Sequence, residues 1–213
     1  VSTFLKIYLV LLLIAVLLLF IIGNHPFSER INICNYIYLD LFFKYLTHIG
    51  DGLFALIIVV FLFVLRLDLG MHAVTSFSIS ALITQFIKRI CFSDTVRPSV
   101  VFSDLIEQGK WHIVEGVDLH ELFSFPSGHT TSIFSICILF VFIKPTKSWA
   151  VISLLIALLV GFSRIYLSQH FLLDVIVGSV VGTLITVCVI YLLDPVFSKW
   201  NKYSIINRFA TSG

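Results

Sequence analysis

Residues 4–22 read FLKIYLVLLLIAVLLLFII, an apolar run that only Lys6 interrupts. A helix needs about 20 apolar residues to cross the hydrocarbon core of a bilayer, so this run predicts a membrane-spanning helix. The residues that follow, from Gly23 to Pro26, provide no pair of small residues at the spacing of a signal-peptide cleavage site. We therefore expect the helix to be retained.

The rest of the chain has the same apolar character. Its 213 residues are 59% hydrophobic and 12% charged, whereas soluble domains contain about 25% charged residues. This composition excludes a disordered protein, a nucleic-acid-binding domain and a secreted disulfide scaffold, and it indicates an integral membrane protein. The net charge of +2 is too small to indicate a polyanionic partner.

Further apolar runs predict an all-α membrane bundle of six transmembrane helices, formed by a single domain over residues 1–213. The predicted spans are residues 4–22, 53–65, 71–87, 129–143, 149–167 and 171–193. Aromatic and charged residues are mixed between 33 and 49, which is typical of a helix at the membrane interface. Residues 66–70 are predicted to form a turn, and residues 88–125 a long loop between the third and fourth helices.

Six spans place both termini on one side of the membrane. The lysines and arginines of the short turns and of the C-terminal tail favour the cytoplasm for that side. The long loop, the start of the fourth helix and the junction of the fifth and sixth helices then meet at the outer face. Charged side chains at such positions are costly in a membrane, so those at this face are candidates for function.

Three groups of polar residues fall at the outer face, and the second group begins the fourth helix with SFPSGH at 124–129. Ser127 can cap the helix, and Gly128 lets a ligand approach the backbone. Free N–H groups and the helix dipole make such a terminus an anion-binding site, with His129 in its first turn. The simpler interpretation is an ordinary capped helix with a polar first turn.

The third group lies at the junction of the fifth and sixth helices. His170 and Asp174 are four residues apart on one helix face, so the carboxylate can bind one imidazole nitrogen and leave the other as a nucleophile or base. Arg164 carries a planar guanidinium that suits phosphate oxygens. Alternatively, these side chains only hold the helices together.

The first group, Lys88 and Arg97 followed by Pro98, supplies two cations at the same face. Alone, these cations could bind lipid headgroups. Combined with the other groups they suit a phosphate, and two histidines suit its transfer through a covalent intermediate. The cations can neutralise the transition state themselves and would oppose a divalent ion, so we expect no metal and no other cofactor.

The three groups resemble the signature of the type 2 phosphatidic acid phosphatase superfamily: Lys-x6-Arg-Pro, Pro-Ser-Gly-His and Ser-Arg-x5-His-x3-Asp. The second and third motifs match with unaltered spacing at 126–129 and 163–174. The first departs from the pattern, because eight residues rather than six separate Lys88 from Arg97. Arg89 is closer to the expected spacing, but we assign the role to Lys88, since the extra residues can bulge outward within the loop.

The resemblance implies a six-helix phosphatase of the bacterial cytoplasmic membrane with its active site facing outward. By this resemblance His170 is the nucleophile that becomes phosphohistidine, Asp174 orients it, and His129 is the general acid. The implied phosphate-binding residues are Lys88, Arg97, Ser127, Gly128 and Arg164. The expected substrate is a membrane lipid phosphate, either of the lipid A type, a prenyl diphosphate such as undecaprenyl diphosphate, or a glycerolipid phosphate such as phosphatidylglycerol phosphate.

Two other functions are weighed against the phosphatase: a transporter or channel, and a lipid-binding protein without catalysis. The sequence contains no inverted repeat and no charge at mid-span, which disfavours a transporter. Asp51, between two glycines, is interpreted as structural, with a role in capping a helix or orienting the site as the alternative. His112 and His120 are interpreted as loop residues, one of which could touch the substrate. Cys34 and Cys91 could pair only in an oxidising compartment.

Overall fold

The computed structural model describes residues 1–200, which are mostly helical and contain no strand. Ten α-helices lie in this range: α1 Ser2–Ile22, α2 Asn24–Ile33, α3 Ile37–Leu46, α4 Gly52–Leu65, α5 Leu67–Phe86, α6 Pro98–Val101, α7 Ser103–Glu107, α8 Gly128–Ile143, α9 Lys147–Tyr166 and α10 Leu172–Phe197. Turns of other helix types extend three of them: a 3-10 turn Thr47–Gly50 after α3, a π-helical turn Ile87–Cys91 after α5, and a 3-10 turn Ser198–Trp200 after α10.

The lengths of the helices agree with a membrane protein. Within residues 1–200, four segments are long and apolar enough to cross a bilayer: Ser2–Ile22, Leu67–Cys91, Lys147–Tyr166 and Leu172–Trp200. Ile37–Gly50 and Gly52–Leu65 pass the same test together, although they are bent by 51° where they meet. The all-α membrane fold is thereby confirmed, while the count of six spans stays a prediction because α8 has only 16 residues.

The α8 helix forms the centre of the bundle and packs against α5, α9 and α10. Two glycines of α10 allow the closest of these contacts. A Cβ atom at Gly178 would lie 2.6 Å from the carbonyl oxygen of Ser127, and one at Gly182 would overlap the carbonyl of Thr131. Small residues at helix contacts let backbones approach closely in membranes, so the glycines hold the N-terminus of α8 against α10.

Some predicted boundaries were wrong. Residues 66–70 are not a turn, because α5 begins at Leu67. Asp68 lies in its first turn, where the helix dipole favours a carboxylate, and is bound by Arg66. Residues 33–49 are not one helix either: the side chain of Asn35 donates to the carbonyl of Asn32 at 3.0 Å and ends α2.

The long loop between α5 and α8 is ordered by aromatic packing. Trp111 stacks on Phe102 with ring centroids 4.0 Å apart, and Phe171 at the start of α10 joins the same apolar cluster. The indole N–H of Trp111 also donates to the hydroxyl of Ser168 at 2.9 Å. These contacts fasten the loop to the junction of α9 and α10.

Candidate active site

The predicted site residues lie at one end of the bundle, formed by the ends of α5 and α9, the starts of α8 and α10, and the long loop. The imidazole of His170 is within electrostatic range of four of them: Arg97, Arg164, Lys88 and His129. Asp174 in turn is within range of Lys88 and Arg97. Groups that are far apart in the sequence therefore meet at one place.

His170 is buried in the turn between α9 and α10, with 2% of the residue exposed. Its Nδ1 lies 3.4 Å from Oδ2 of Asp174. The same oxygen accepts from the Phe171 N–H at 2.9 Å and from the hydroxyl of Ser124. Burial, and then the surrounding positive charges, lower the pKa of His170 well below its usual value. The neutral imidazole therefore keeps a free Nε2 that can act as a nucleophile.

Lys88 and Arg89 face in different directions at the end of α5. The π-helical turn Ile87–Cys91 widens the helix there, as such turns often do at functional sites. Lys88 is buried and donates from Nζ to the carbonyl of Phe123 at 2.7 Å. Arg89 is exposed and donates to the side chain of Gln85 at 3.0 Å. Of the two cations, it is Lys88 that faces the site.

Arg97 is held by backbone carbonyls of two segments. Its Nε donates to Leu122 and its Nη1 to Gln169, both at 3.0 Å. Burial lowers the pKa of its guanidinium, although arginine remains protonated in proteins. The side chain thus joins the long loop to the turn that carries His170.

Arg164 lies in the last turn of α9 and offers a free donor. Its Nη1 donates to the hydroxyl of Thr47 at 2.6 Å, and its carbonyl accepts from the N–H of His170 at 3.0 Å. Its Nε is buried and has no hydrogen-bond partner among residues 1–200. Buried donors without partners are rare, and this one suits an oxygen of a bound phosphate.

Ser127 is fully buried and caps α8. Its hydroxyl accepts from the N–H and the hydroxyl of Thr130, at 3.4 and 2.9 Å. Its own N–H donates to the carbonyl of Asp174 at 3.0 Å. The backbone N–H of Ser127 is therefore engaged, whereas its hydroxyl acts only as an acceptor in these bonds. The N–H groups of Gly128 and His129, in the first turn of α8, are placed to bind an anion. The space beside Gly128 is open.

Thr47 and Asp51, at the bend between α3 and α4, contact site residues, and His48 contacts Asp51. Of these three, only Asp51 was considered for the site from the sequence, as an alternative to a structural role. Asp51, interpreted as structural, contacts Nε2 of His129 with Oδ1, and its Oδ2 lies 2.7 Å from Nδ1 of His48. Thr47 binds Arg164 as described above. The only signal in the sequence was a carboxylate between two glycines, which does not reveal the long-range partner.

Of the other residues singled out from the sequence, the two histidines of the long loop have partners outside the three polar groups. His112 contacts Asp40 at 2.9 Å through Nε2, and the carbonyl of His120 accepts from the hydroxyl of Ser99; both are loop residues. Cys34 and Cys91 are free and exposed. Within residues 1–200 no group of three or more His, Cys, Asp or Glu side chains is arranged to hold a metal ion.

A cleft of about 450 Å³ extends from the site between α4, α5 and α8. His129 and Gly128 form one part of its wall, and apolar residues such as Val59 and Phe77 form another. Leu56, which also lines it, is 58% exposed on the outside of the bundle. The cleft therefore connects the polar site with the apolar surface of the protein.

Comparisons with known proteins agree with this architecture. The chain is similar to the crystal structure of LpxE from Aquifex aeolicus, with 24% sequence identity and a TM-score of 0.68 over 79% of this chain and 94% of that one. It is also similar to the crystal structure of a transmembrane PAP2 type phosphatidylglycerolphosphate phosphatase from Bacillus subtilis. In that case the identity is 23% and the TM-score 0.66, over 92% of this chain and 98% of the other. A search of curated proteins found no match.

The two solved structures show that the fold is shared. A family model covers the sequence itself: that of the PAP2 superfamily matches residues 69–197. The match includes all three polar groups, most of α5, and all of α8, α9 and α10. Because it extends over more than half of the chain, this protein belongs to the PAP2 superfamily.

Proposed function

We propose that the protein hydrolyses the phosphate of a membrane lipid through a phosphohistidine formed on His170. The observation that carries this proposal is the environment of that imidazole. It is buried, it has Asp174 at Nδ1, and it lies within range of three cations and a second histidine. A neutral imidazole next to an anion site is suited to attack phosphorus.

In the first step Nε2 of His170 forms a bond to phosphorus, and the bond from phosphorus to the lipid oxygen breaks. His129 donates a proton to that oxygen, so the lipid leaves as an alcohol or as a shorter phosphate. Asp174 stabilises the imidazole as it becomes positive. Lys88, Arg97 and Arg164 neutralise the charge on the phosphoryl oxygens, which is the main task of catalysis in phosphoryl transfer.

In the second step a water molecule attacks the phosphorus of phosphohistidine, and His129 accepts a proton from that water. The bond between phosphorus and His170 breaks, and inorganic phosphate leaves. His129 is protonated again and His170 is neutral, so both return to their initial states. The cations of the chain perform the charge neutralisation, and the proposed cycle needs no cofactor.

The cleft between α4, α5 and α8 supports a lipid as the substrate. An acyl or prenyl chain can lie among its apolar residues while the phosphate reaches His129 and Gly128. One solved relative is LpxE and the other is a phosphatidylglycerolphosphate phosphatase. We accordingly include lipid A-type, prenyl diphosphate and glycerolipid phosphates as candidates. We also propose that the site faces outward in the bacterial cytoplasmic membrane and that residues 1–213 form one domain.

Phosphate release from these three lipid classes in detergent tests the proposal. We expect release from at least one class, with vanadate as an inhibitor because it imitates the five-coordinate transition state. Activity should persist in a chelator. His170→Ala should reduce release by at least about 10³-fold, as loss of a nucleophile commonly does. Full activity of His170→Ala would refute the assigned nucleophile, and transport without hydrolysis would refute the phosphatase.

A further inference from the structure

The bend between α3 and α4 carries a short segment, residues 47–51, which we call the support turn. Asp51 is its last residue and uses both carboxylate oxygens on histidines: Oδ1 contacts Nε2 of His129, and Oδ2 lies 2.7 Å from Nδ1 of His48. Although Asp51 occupies the N-cap position of α4, its side chain forms no capping bond there. The carboxylate therefore contacts the two histidines and does not cap its own helix.

The support turn is packed directly onto the site. A Cβ atom at Gly50 would lie 3.0 Å from the carbonyl oxygen of His129 and 2.9 Å from Val160. Only glycine allows the turn to approach α8 and α9 this closely. The hydroxyl of Thr47, at the other end of the turn, accepts from Arg164 at 2.6 Å. The turn thus contacts two of the residues to which the proposed function gives roles.

The contact with Asp51 has a chemical consequence for His129. With Nε2 engaged by the carboxylate, Nδ1 is the ring nitrogen left to meet the substrate. A general acid must also carry a proton, yet burial disfavours the charged form of this imidazole, and Arg164 and Arg97 add positive charge near it. A carboxylate at the opposite nitrogen favours the protonated form and offsets that repulsion.

We infer that Asp51 is a positioning residue for the general acid, which it orients and whose protonated form it favours, with His48 holding the carboxylate in place. This inference rests on the proposed function and deepens it. The site then contains two His–Asp pairs with opposite tasks. Asp174 supports a neutral nucleophile that becomes positive, whereas Asp51 supports an acid that begins positive and becomes neutral.

The test compares leaving groups. An alkyl phosphate expels an alkoxide that needs a proton, whereas p-nitrophenyl phosphate expels a phenolate that leaves without one. We expect Asp51→Asn to lower kcat/KM, which reports the formation of phosphohistidine and not its hydrolysis, by about 10–100-fold for a short-chain alkyl phosphate, a part of the effect of a general acid. For p-nitrophenyl phosphate the loss should be below about 5-fold. His129→Ala should show the same selectivity more strongly, and Asp51→Glu should recover part of the activity.

A merely structural role would lower both activities together. Asp104→Asn, which removes a carboxylate from an exposed position of α7, serves as a matched control and should leave both rates unchanged. Melting curves in detergent check that Asp51→Asn is folded. Equal losses for the two substrates, or no loss, would overturn the inference.

His170→Ala, measured in the same assays, separates a failure of the proposed function from a failure of the inference about Asp51. If it abolishes both activities while Asp51→Asn has no leaving-group selectivity, only the inference about Asp51 fails. If His170→Ala remains active, the proposed function itself fails. If His129→Ala shows no selectivity, the general-acid assignment fails and the inference about Asp51 fails with it.

Discussion

At the scale of single residues, the protonation state of His170 decides whether it can act as a nucleophile. Burial and the positive charges of Arg97, Arg164 and Lys88 all disfavour imidazolium, so the pKa of His170 lies well below its usual value. This lowered pKa makes the stability of the folded protein depend on pH. An unfolded histidine takes up a proton below about pH 6.5, while the folded one does not. The stabilisation of the folded protein by neutral His170 is therefore fully present above about pH 6.5 and is lost as the pH falls.

We predict that His170 stays neutral from pH 8 to pH 6.5 in the folded protein without substrate. The chain has seven histidines, so the signal of His170 in ¹³C-histidine NMR spectra is identified by its absence from His170→Ala. The same protein denatured in urea provides the reference, in which all histidines titrate near pH 6.5. A midpoint for His170 at or above that value in the folded protein would contradict the prediction.

At the scale of the elements, the contact between α8 and α10 places the anion-binding end of α8 beside Asp174. Gly178 allows this contact because a Cβ atom would lie 2.6 Å from the backbone oxygen of Ser127, which cannot move away like a flexible side chain. We predict that Gly178→Ala lowers the free energy of unfolding by about 1–3 kcal/mol, the usual effect of overpacking. It should also lower activity, because Ser127 and His129 shift with the helix.

Thermal unfolding in detergent and phosphate release measure these two effects. Gly52→Ala is the matched control, since a Cβ atom there meets nothing within 4 Å, and we expect it to unfold near the wild-type temperature. A Gly178→Ala protein as stable and as active as wild type would show that α8 and α10 are not held by this contact.

The elements also show how far the sequence predicts this structure. Apolar runs identified the long helices because about 20 apolar residues have few alternatives to a membrane span. The motif spacing placed Ser127, His129, His170 and Asp174 at helix ends, where the structure has them. The contact of Asp51 with His129 could not be predicted, because it depends on the 51° bend between two helices. Neither residue propensity nor periodicity specifies such an angle.

At the scale of the whole molecule, the two ends of the bundle differ in how their charges are balanced. At the end opposite the site, Arg66 binds Asp68, and His72 contacts both the carbonyl of Asp68 and the side chain of Asp194. Those charges are paired within the protein and fasten α5 to α10. At the site, Lys88, Arg97 and Arg164 bind neutral oxygens instead. Asp51 and Asp174 contact histidines there, so a phosphate can supply the negative charge that these three cations do not receive from a direct partner.

This difference between the ends makes the orientation in the membrane testable. Cys34 is free, exposed and on the same end as the site, whereas Ser148 is exposed near the start of α9 at the other end. In bacterial spheroplasts, a membrane-impermeant maleimide should label a variant that retains only Cys34. Ser148→Cys in a cysteine-free background should react only after the membrane is permeabilised. The reverse pattern would place the site in the cytoplasm, where a phosphatase for outward-facing lipids could not reach its substrate.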